Sequence, residues 1–93
     1  MTVGLLTLEL YFPSSQSLKE KRMVLKSLKD QLRRQFNISI AEVDGQETWQ
    51  RSQVGVVGIG EDRRYVNGQL SRVVEWVRRH RETELTDYRL AWW

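Results

Sequence analysis

The chain has 93 residues, no cysteine and a formal net charge of +3, with 15 lysines and arginines against 12 aspartates and glutamates. This length supports one domain over residues 1–93, and the lack of cysteine excludes disulfides and thiolate metal sites. No apolar run of about 18 residues could span a membrane. The apolar start lacks the basic segment and cleavage site of a signal peptide, so we expect a cytoplasmic protein.

A first strand is predicted over Val3–Phe12 because apolar residues recur at every second position. The buried face of this strand would carry Leu6, Leu8, Leu10 and Phe12. Pro13 follows, and since proline cannot donate a hydrogen bond to a neighbouring strand, it ends the element.

A first helix is predicted from Ser17 to Phe36. Ser17 and Glu20 have the spacing of a capping box, in which the hydroxyl and the carboxylate satisfy free amide groups of the first turn. Apolar residues recur at helical spacing along one face of this helix: Leu18, Leu25, Leu28, Leu32 and Phe36.

The rest of the chain predicts strand, strand, helix and strand. The second strand is Ile38–Val43, followed by a turn at Asp44 and Gly45, and the third is Gln53–Ile59. Glycines at positions 55, 58 and 60 indicate bulges or a close approach across the third strand. A second helix begins near its cap, Asp62, and a fourth strand covers Glu84–Trp93. The second helix would pack through Val66, Leu70, Val73, Val74 and Val77.

This order, β-α-β-β-α-β, predicts an α+β domain with a four-stranded antiparallel sheet. Right-handed crossovers place both helices on one face of that sheet and leave the other face open. An open apolar face indicates a partner, so a homo-oligomer is one hypothesis. We expect the open face to include some of Leu5, Tyr11, Trp49, Tyr88 and Trp92.

The first helix also carries a stripe of cations, which we call the basic stripe: Lys19, Arg22, Lys26, Lys29 and Arg33. At about 100° per residue these five fall in one sector beside the leucine face, while Glu20 and Asp30 are expected elsewhere on the helix. The stripe would be about 20 Å long, close to the spacing of several backbone phosphates. It predicts an RNA-binding surface, and the alternative is a solvated face whose lysine stems cover the edge of the core.

The second helix offers a weaker candidate of the same kind, with Arg72 and Arg79 beside Tyr65 and Trp76. Arginine planes and aromatic rings can hold phosphates and unpaired bases, although aromatic residues at this spacing also serve a core or an interface. His80 is the sole histidine and has no ligand set around it, so we expect no metal site.

No arrangement of residues in the sequence predicts catalysis. A serine or cysteine nucleophile activated by histidine is absent, and we expect neither an enzyme nor a cofactor. The glycines of residues 55–60 precede a helix, but Glu61 and Asp62 stand where a phosphate would bind. Residues 13–16 do not resemble the arginine and glycine-rich loop of acylphosphatases, and the third strand lacks the aromatics of RNA-recognition motifs.

Three motifs resemble the YlxP-like family, a bacterial family with no assigned function. They are Ser17-Leu18-Lys19-Glu20-Lys21-Arg22, the stretch from Arg34 to Glu42, and Trp49-Gln50-Arg51. The resemblance covers nearly the whole chain and implies a ferredoxin-like fold. It also implies a genomic neighbourhood of translation-initiation and ribosome-assembly factor genes, and it supplies no catalytic residues.

Lys21 is set apart from the basic stripe because it lies nearer the apolar face of the helix. We expect it to pair with Glu42 or Glu9 across the helix–sheet interface, although direct contact with a ligand is an alternative. The leading hypothesis is a non-enzymatic accessory protein that contacts RNA or the ribosome through the basic stripe. The second is a homo-oligomeric structural or ligand-sensing module that uses the open sheet face.

Overall fold

The computed structural model describes all 93 residues, and the chain forms four strands and two helices joined by short connections. In chain order the elements are β1 (Thr2–Tyr11), α1 (Leu18–Gln35), β2 (Ser39–Asp44), β3 (Arg51–Gly60), α2 (Arg63–Arg78) and β4 (Glu84–Trp92). All six predicted elements are present, and β3 begins two residues earlier than predicted because Arg51 and Ser52 pair with Tyr11 and Leu10 of β1.

The strands form one antiparallel sheet in the order β2-β3-β1-β4. The predicted α+β class and ferredoxin-like arrangement are confirmed, with β1 and β3 in the centre and β2 and β4 at the edges. The register places Leu6 opposite Val56 and Leu8 opposite Val54, so their side chains share one face. That face and the two helices enclose a core of 15 buried apolar residues. Neither helix is long and apolar enough to cross a membrane.

Both helices begin at the predicted cap residues. The Ser17 hydroxyl accepts a hydrogen bond from the Glu20 amide at 3.1 Å, and the Asp62 carboxylate accepts one from the Tyr65 amide at 2.8 Å. Glu20 reaches one residue further back than a capping box requires, because its carboxylate accepts from the Gln16 amide. Each helix start therefore has a side-chain acceptor for an amide group that the helix itself leaves free.

Glycines let α2 lie directly against the sheet. A Cβ atom on Gly4 would lie 2.8 Å from a methyl group of Leu70, and one on Gly58 would lie 2.8 Å from Gln69 Oε1. These distances are shorter than side chains tolerate, so the close approach predicted for the third strand is confirmed at Gly58. The approaching element is α2.

The open face of the sheet differs from expectation in its aromatic residues. Leu5 and Tyr11 lie on it as predicted, but Tyr88 and Trp92 do not. The register places Tyr88 opposite Leu8 and Trp92 opposite Gly4, which puts both rings on the face that carries the helices. The sequence pattern was misleading because a bulge between Leu85 and Asp87 changes which residues of β4 face the core. The predicted Trp49 is an exposed residue of the β2–β3 connection, outside the strands.

Lys21, near the start of α1, is fully buried between that helix and the sheet. Its ammonium group donates to Glu42 Oε2 at 2.9 Å, to the Gly45 carbonyl at 2.7 Å and to the Arg51 carbonyl at 3.1 Å. These three bonds use all three donors of the lysine. Glu42 also accepts from the Ser52 hydroxyl at 2.7 Å. The prediction of a Lys21 ion pair is therefore confirmed, with Glu42 as the partner.

Glu9, the other candidate partner of Lys21, lies on the opposite face of the sheet. It accepts from Gln53 Nε2 at 2.6 Å and pairs with Arg89 at 3.7 Å. The Lys21 ammonium group instead joins α1 to both ends of the β2–β3 connection, where Gly45 takes a positive φ of 83°. One side chain thereby fixes the position of the helix and the conformation of a turn.

We predict that Lys21→Met lowers the free energy of unfolding by about 3–5 kcal/mol, because a partly buried carboxylate and two carbonyl groups lose their donor. Urea denaturation would measure the change. Combining Lys21→Met with Glu42→Gln should cost less than the two single changes added together, since the uncompensated charge is removed.

Lys19→Met is the matched control for Lys21→Met, because Lys19 lies in the same helix and is exposed. It should change the free energy of unfolding by no more than about 0.5 kcal/mol. Equal effects of Lys19→Met and Lys21→Met would contradict the assigned role of the buried ammonium group.

Candidate nucleic-acid interface

Charge is divided between the helices and the strands. The helices hold eleven of the 15 lysines and arginines but only three of the 12 acidic residues, namely Glu20, Asp30 and Glu75. The strands hold two cations, Arg51 and Arg89, and five acids: Glu9, Glu42, Asp44, Glu84 and Asp87. The helical layer is therefore strongly positive and the sheet is negative, although the net charge of the chain is modest.

All five residues of the basic stripe lie on α1. Lys19, Arg22, Lys26 and Arg33 are exposed and Lys29 is half-buried. Lys19, Arg22 and Lys29 take part in none of the salt bridges of the structure, whereas Lys26 and Arg33 do. The stripe thus contains three cations without an acidic partner and two with one.

The expectation that no acid interrupts the stripe is wrong at Asp30. Its carboxylate lies 2.8 Å from Lys26 Nζ and 3.4 Å from Arg33 Nη1. The hydrogen bond from Lys26 is the main reason that the pKa of Asp30 lies below its usual value, and the charges of Arg33 and Arg34 add to it. Asp30 therefore stays ionised and partly neutralises the middle of the stripe.

The stripe lies beside the edge strand β2. Arg33 Nη2 donates to the Ile40 carbonyl at 3.0 Å, which connects the end of the stripe to the backbone of β2. An exposed strand edge offers carbonyl groups that could pair with another chain, and a cation that binds one of them blocks such pairing. Arg33 thus has a structural contact as well as an exposed charge.

A groove between α1 and α2 forms a second basic surface, which we call the interhelical groove. A cleft of about 440 Å³ is lined by Gln31 of α1 and by Trp76, Arg79, His80, Arg81 and Glu82. A neighbouring cleft of about 380 Å³ is lined by α1 alone, through Gln31, Arg34 and Gln35. The Trp76 and His80 rings lie 5.4 Å apart at a 32° tilt and form an aromatic wall beside the arginines.

Only some of the residues that the sequence predicts as a binding surface on the second helix lie together in the structure. Arg79 and Trp76 line the interhelical groove, and Arg72 is exposed on the same helix. Tyr65 instead lies near the start of α2 over Gly60, about 16 Å along the helix axis from Trp76. Arg81 joins the groove because the chain after α2 approaches Gln31 of α1, which the pattern of either helix alone does not reveal, whereas Arg34 lines a cleft that α1 forms by itself.

A third cleft, of about 580 Å³, opens on the other face of the sheet. Its lining includes Glu9, Tyr11, Arg51, Gln53 and Asp44. Its charges are mixed, and its glutamate is already bonded to Gln53 and Arg89. No group of three or more histidine, cysteine or acidic residues in the structure could hold a metal ion. This cleft has no surplus of positive charge to attract a polyanion.

His80 in the interhelical groove predicts a pH dependence of stability. Burial lowers the pKa of His80 below its ordinary value of 6.5, and the nearby Glu82 opposes that shift. The unfolded chain therefore binds a proton before the folded protein does, so stability should decline as the pH falls from about 7 through 6.5. Urea unfolding across this range would measure the decline, and His80→Gln should remove it.

An NMR titration of the His80 ring tests the same prediction directly. A pKa below 6.5 agrees with the half-buried ring, and a pKa at or above 6.5 contradicts the prediction.

Comparisons with known proteins agree with the motifs of the sequence. A family model described as "Protein of unknown function (DUF503)" matches residues 3–90. The chain is also 34% identical over 90 residues to "Uncharacterized protein YlxP" of Bacillus subtilis (strain 168), an alignment that covers 97% of this chain and 98% of that protein. The resemblance to the YlxP-like family is thus confirmed, and the chain belongs to the family described as DUF503.

Proposed function

We propose that this protein is a non-enzymatic, cytoplasmic accessory protein that contacts RNA, in ribosome assembly or translation. The contact surface is the helical layer, comprising the basic stripe and the interhelical groove. The observation that carries the proposal is the division of charge, because eleven of 15 cations lie on the two helices and all of these except the buried Lys21 reach solvent. A polyanion would be attracted to that layer and repelled by the sheet.

The two basic surfaces suit different parts of an RNA. Lys19, Arg22 and Lys29 are cations without acidic partners along one helix, an arrangement that suits consecutive backbone phosphates. The interhelical groove adds the half-buried Trp76 ring between arginines, and aromatic rings stack on unpaired bases. The proposed ligand is therefore a structured RNA with at least one accessible unpaired base.

Ribosomal RNA is the proposed target within this chemistry. The genomic neighbourhood implied by the family resemblance, among translation-initiation and ribosome-assembly factors, supports that choice over other polyanions. The expected complex depends on salt, because each phosphate contact releases bound counterions.

We predict that the protein sediments with ribosomal particles through a sucrose gradient at low salt and dissociates as salt is added. Arg22→Glu should weaken binding about tenfold and flatten the log–log salt dependence by about 0.7, the value for one phosphate contact on a single strand. Arg51→Glu is the matched control, since this arginine is also exposed but lies on the sheet. Equal losses from both variants, or no sedimentation with ribosomal particles, would contradict the proposal.

Asp30→Asn provides a test in the opposite direction. Removing this carboxylate frees Lys26 and Arg33, which lie 2.8 Å and 3.4 Å from it, for contact with phosphates. RNA affinity should therefore rise, and fluorescence anisotropy with a labelled ribosomal RNA fragment would measure the change. Glu47→Gln makes the same charge change in the exposed β2–β3 connection and should have a smaller effect. A larger gain from Glu47→Gln would place the contact elsewhere.

One observation favours the second candidate, a homo-oligomeric module that uses the open sheet face. Val57, Ile59 and Trp93 are large apolar residues with exposed fractions of 38%, 53% and 70%. Ile59→Lys should therefore reduce self-association if this face is the interface. Sedimentation equilibrium would measure the effect, and an unchanged mass would argue against the open face as an interface.

A further inference from the structure

The outer edge of β4 has backbone groups that no other strand uses. The sheet ends at β4, which pairs only with β1. Val3 and Trp93 exchange two backbone hydrogen bonds, of 3.2 Å and 2.9 Å. Because bonded pairs alternate along antiparallel strands, the pairs Leu5–Ala91 and Thr7–Arg89 also bond inward, while the amide and carbonyl groups of Tyr88, Leu90 and Trp92 point outward. A long strand edge of this kind is able to pair with another strand.

The negative charge of the Asp87 carboxylate is poorly compensated in a single copy of the chain. The register places it directly opposite Glu9, which sets two carboxylates side by side on the open face. Asp87 takes part in no salt bridge, and its carboxylate accepts only from the Tyr88 amide, at 2.8 Å. Arg89, two residues along on the same face, reaches Glu9 only at 3.7 Å. Asp87 therefore lies at the edge of the sheet without a partner of opposite charge, and Arg89 has one long salt bridge, to Glu9.

We propose that β4 pairs antiparallel with β4 of a second copy of this chain, with Tyr88 on the two-fold axis. In this register the outward-pointing amide and carbonyl groups of Tyr88 bond to those of the partner's Tyr88. The register places Asp87 opposite the partner's Arg89 and Arg89 opposite the partner's Asp87. Both are non-hydrogen-bonded positions, where side chains are closest, so two ion pairs form symmetrically. The resulting dimer has one continuous sheet of eight strands.

The other face of the same edge is compatible with this pairing. Tyr88 lies on the helix side of the sheet, with the Arg78 guanidinium group 5.6 Å from the centre of its ring. Glu75 lies 3.5 Å from Arg78, so the charges near the axis are balanced when two copies meet. The Asp87 carboxylate, which covers the Tyr88 amide in one copy, is released to the partner's arginine when the backbone groups pair.

Dimer formation would join two helical layers along one side of the sheet. Both copies of α2 would flank the axis, and the two basic stripes, beside β2, would lie at the outer ends of the eight-stranded sheet. This inference is independent of RNA binding, because it depends on β4 alone and is measured without RNA.

Charge exchange at β4 tests the proposal. Sedimentation equilibrium of the full chain should give twice the monomer mass of 11.1 kDa at high micromolar concentration. Asp87→Arg and Arg89→Asp should each raise the dissociation constant at least tenfold, because each sets like charges opposite each other. The double variant Asp87→Arg with Arg89→Asp should restore dimerisation, since opposite charges again meet across the axis. Circular dichroism would verify that each variant is folded.

An introduced cysteine provides a second readout, because the chain has no cysteine of its own. Cα atoms of a hydrogen-bonded pair lie about 5.5 Å apart, within the range of a disulfide, so Tyr88→Cys should form a covalent dimer on mild oxidation. Ile59→Cys, on the open face, should not. A monomer at every concentration, failure of the double variant to restore the dimer, or cross-linking only through Ile59→Cys would overturn the proposal.

Discussion

The burial of the Lys21 ammonium group is the constraint that fixes how α1 lies on the sheet. A lysine on the apolar face of a helix is tolerated only where its donors find acceptors, and here the acceptors are Glu42 and the carbonyls of Gly45 and Arg51. Leucine side chains alone would allow the helix to rotate or slide at small cost, because apolar contact has no direction. Three directed hydrogen bonds from one nitrogen atom remove that freedom.

The orientation of α1 determines which charges reach solvent. Lys21 faces the sheet, so the basic stripe, roughly a third of a turn around the helix, points outward beside β2. The opposite flank carries Gln31, which lines the interhelical groove together with Trp76 of α2. The buried Lys21 thus determines where the exposed cations of α1 lie. The same bonds hold the β2–β3 connection, so a loss of Lys21 would disturb both faces of the sheet.

The fold could be predicted from the sequence because its signals are local. Alternation in β1, the capping residues Ser17 and Asp62, and the turn at Gly45 each depend on near neighbours. A partner for Lys21 was also predictable, since a cation on an apolar face needs one. The choice of Glu42 over Glu9 depends on strand register, which brings residues 21 and 42 together across the fold.

The candidate surface was less predictable for the same reason. The spacing of Asp30 from Lys26 is that of an (i, i+4) ion pair, so the sequence could have indicated that its carboxylate lies beside the basic stripe. A rotation of 100° per residue instead puts Asp30 just outside the sector of the five cations. The bulge in β4 reverses the faces of Tyr88 and Trp92, and its only trace in the sequence is a change of phase in the apolar alternation between Leu85 and Tyr88. Arg79 and Arg81 lie beside Gln31 of α1 only in the folded chain, because they are far from it in the sequence.

Ultraviolet cross-linking in intact cells, followed by mass spectrometry of the attached peptides, tests the central claim most directly. It reports both whether RNA is bound and which residues touch it. We expect ribosomal RNA adducts on peptides from α1 and on the α2 peptide that contains Trp76. Recovery of the protein without RNA adducts, or with adducts only on peptides of the open sheet face, would contradict the assignment of the helical layer as the RNA-binding surface.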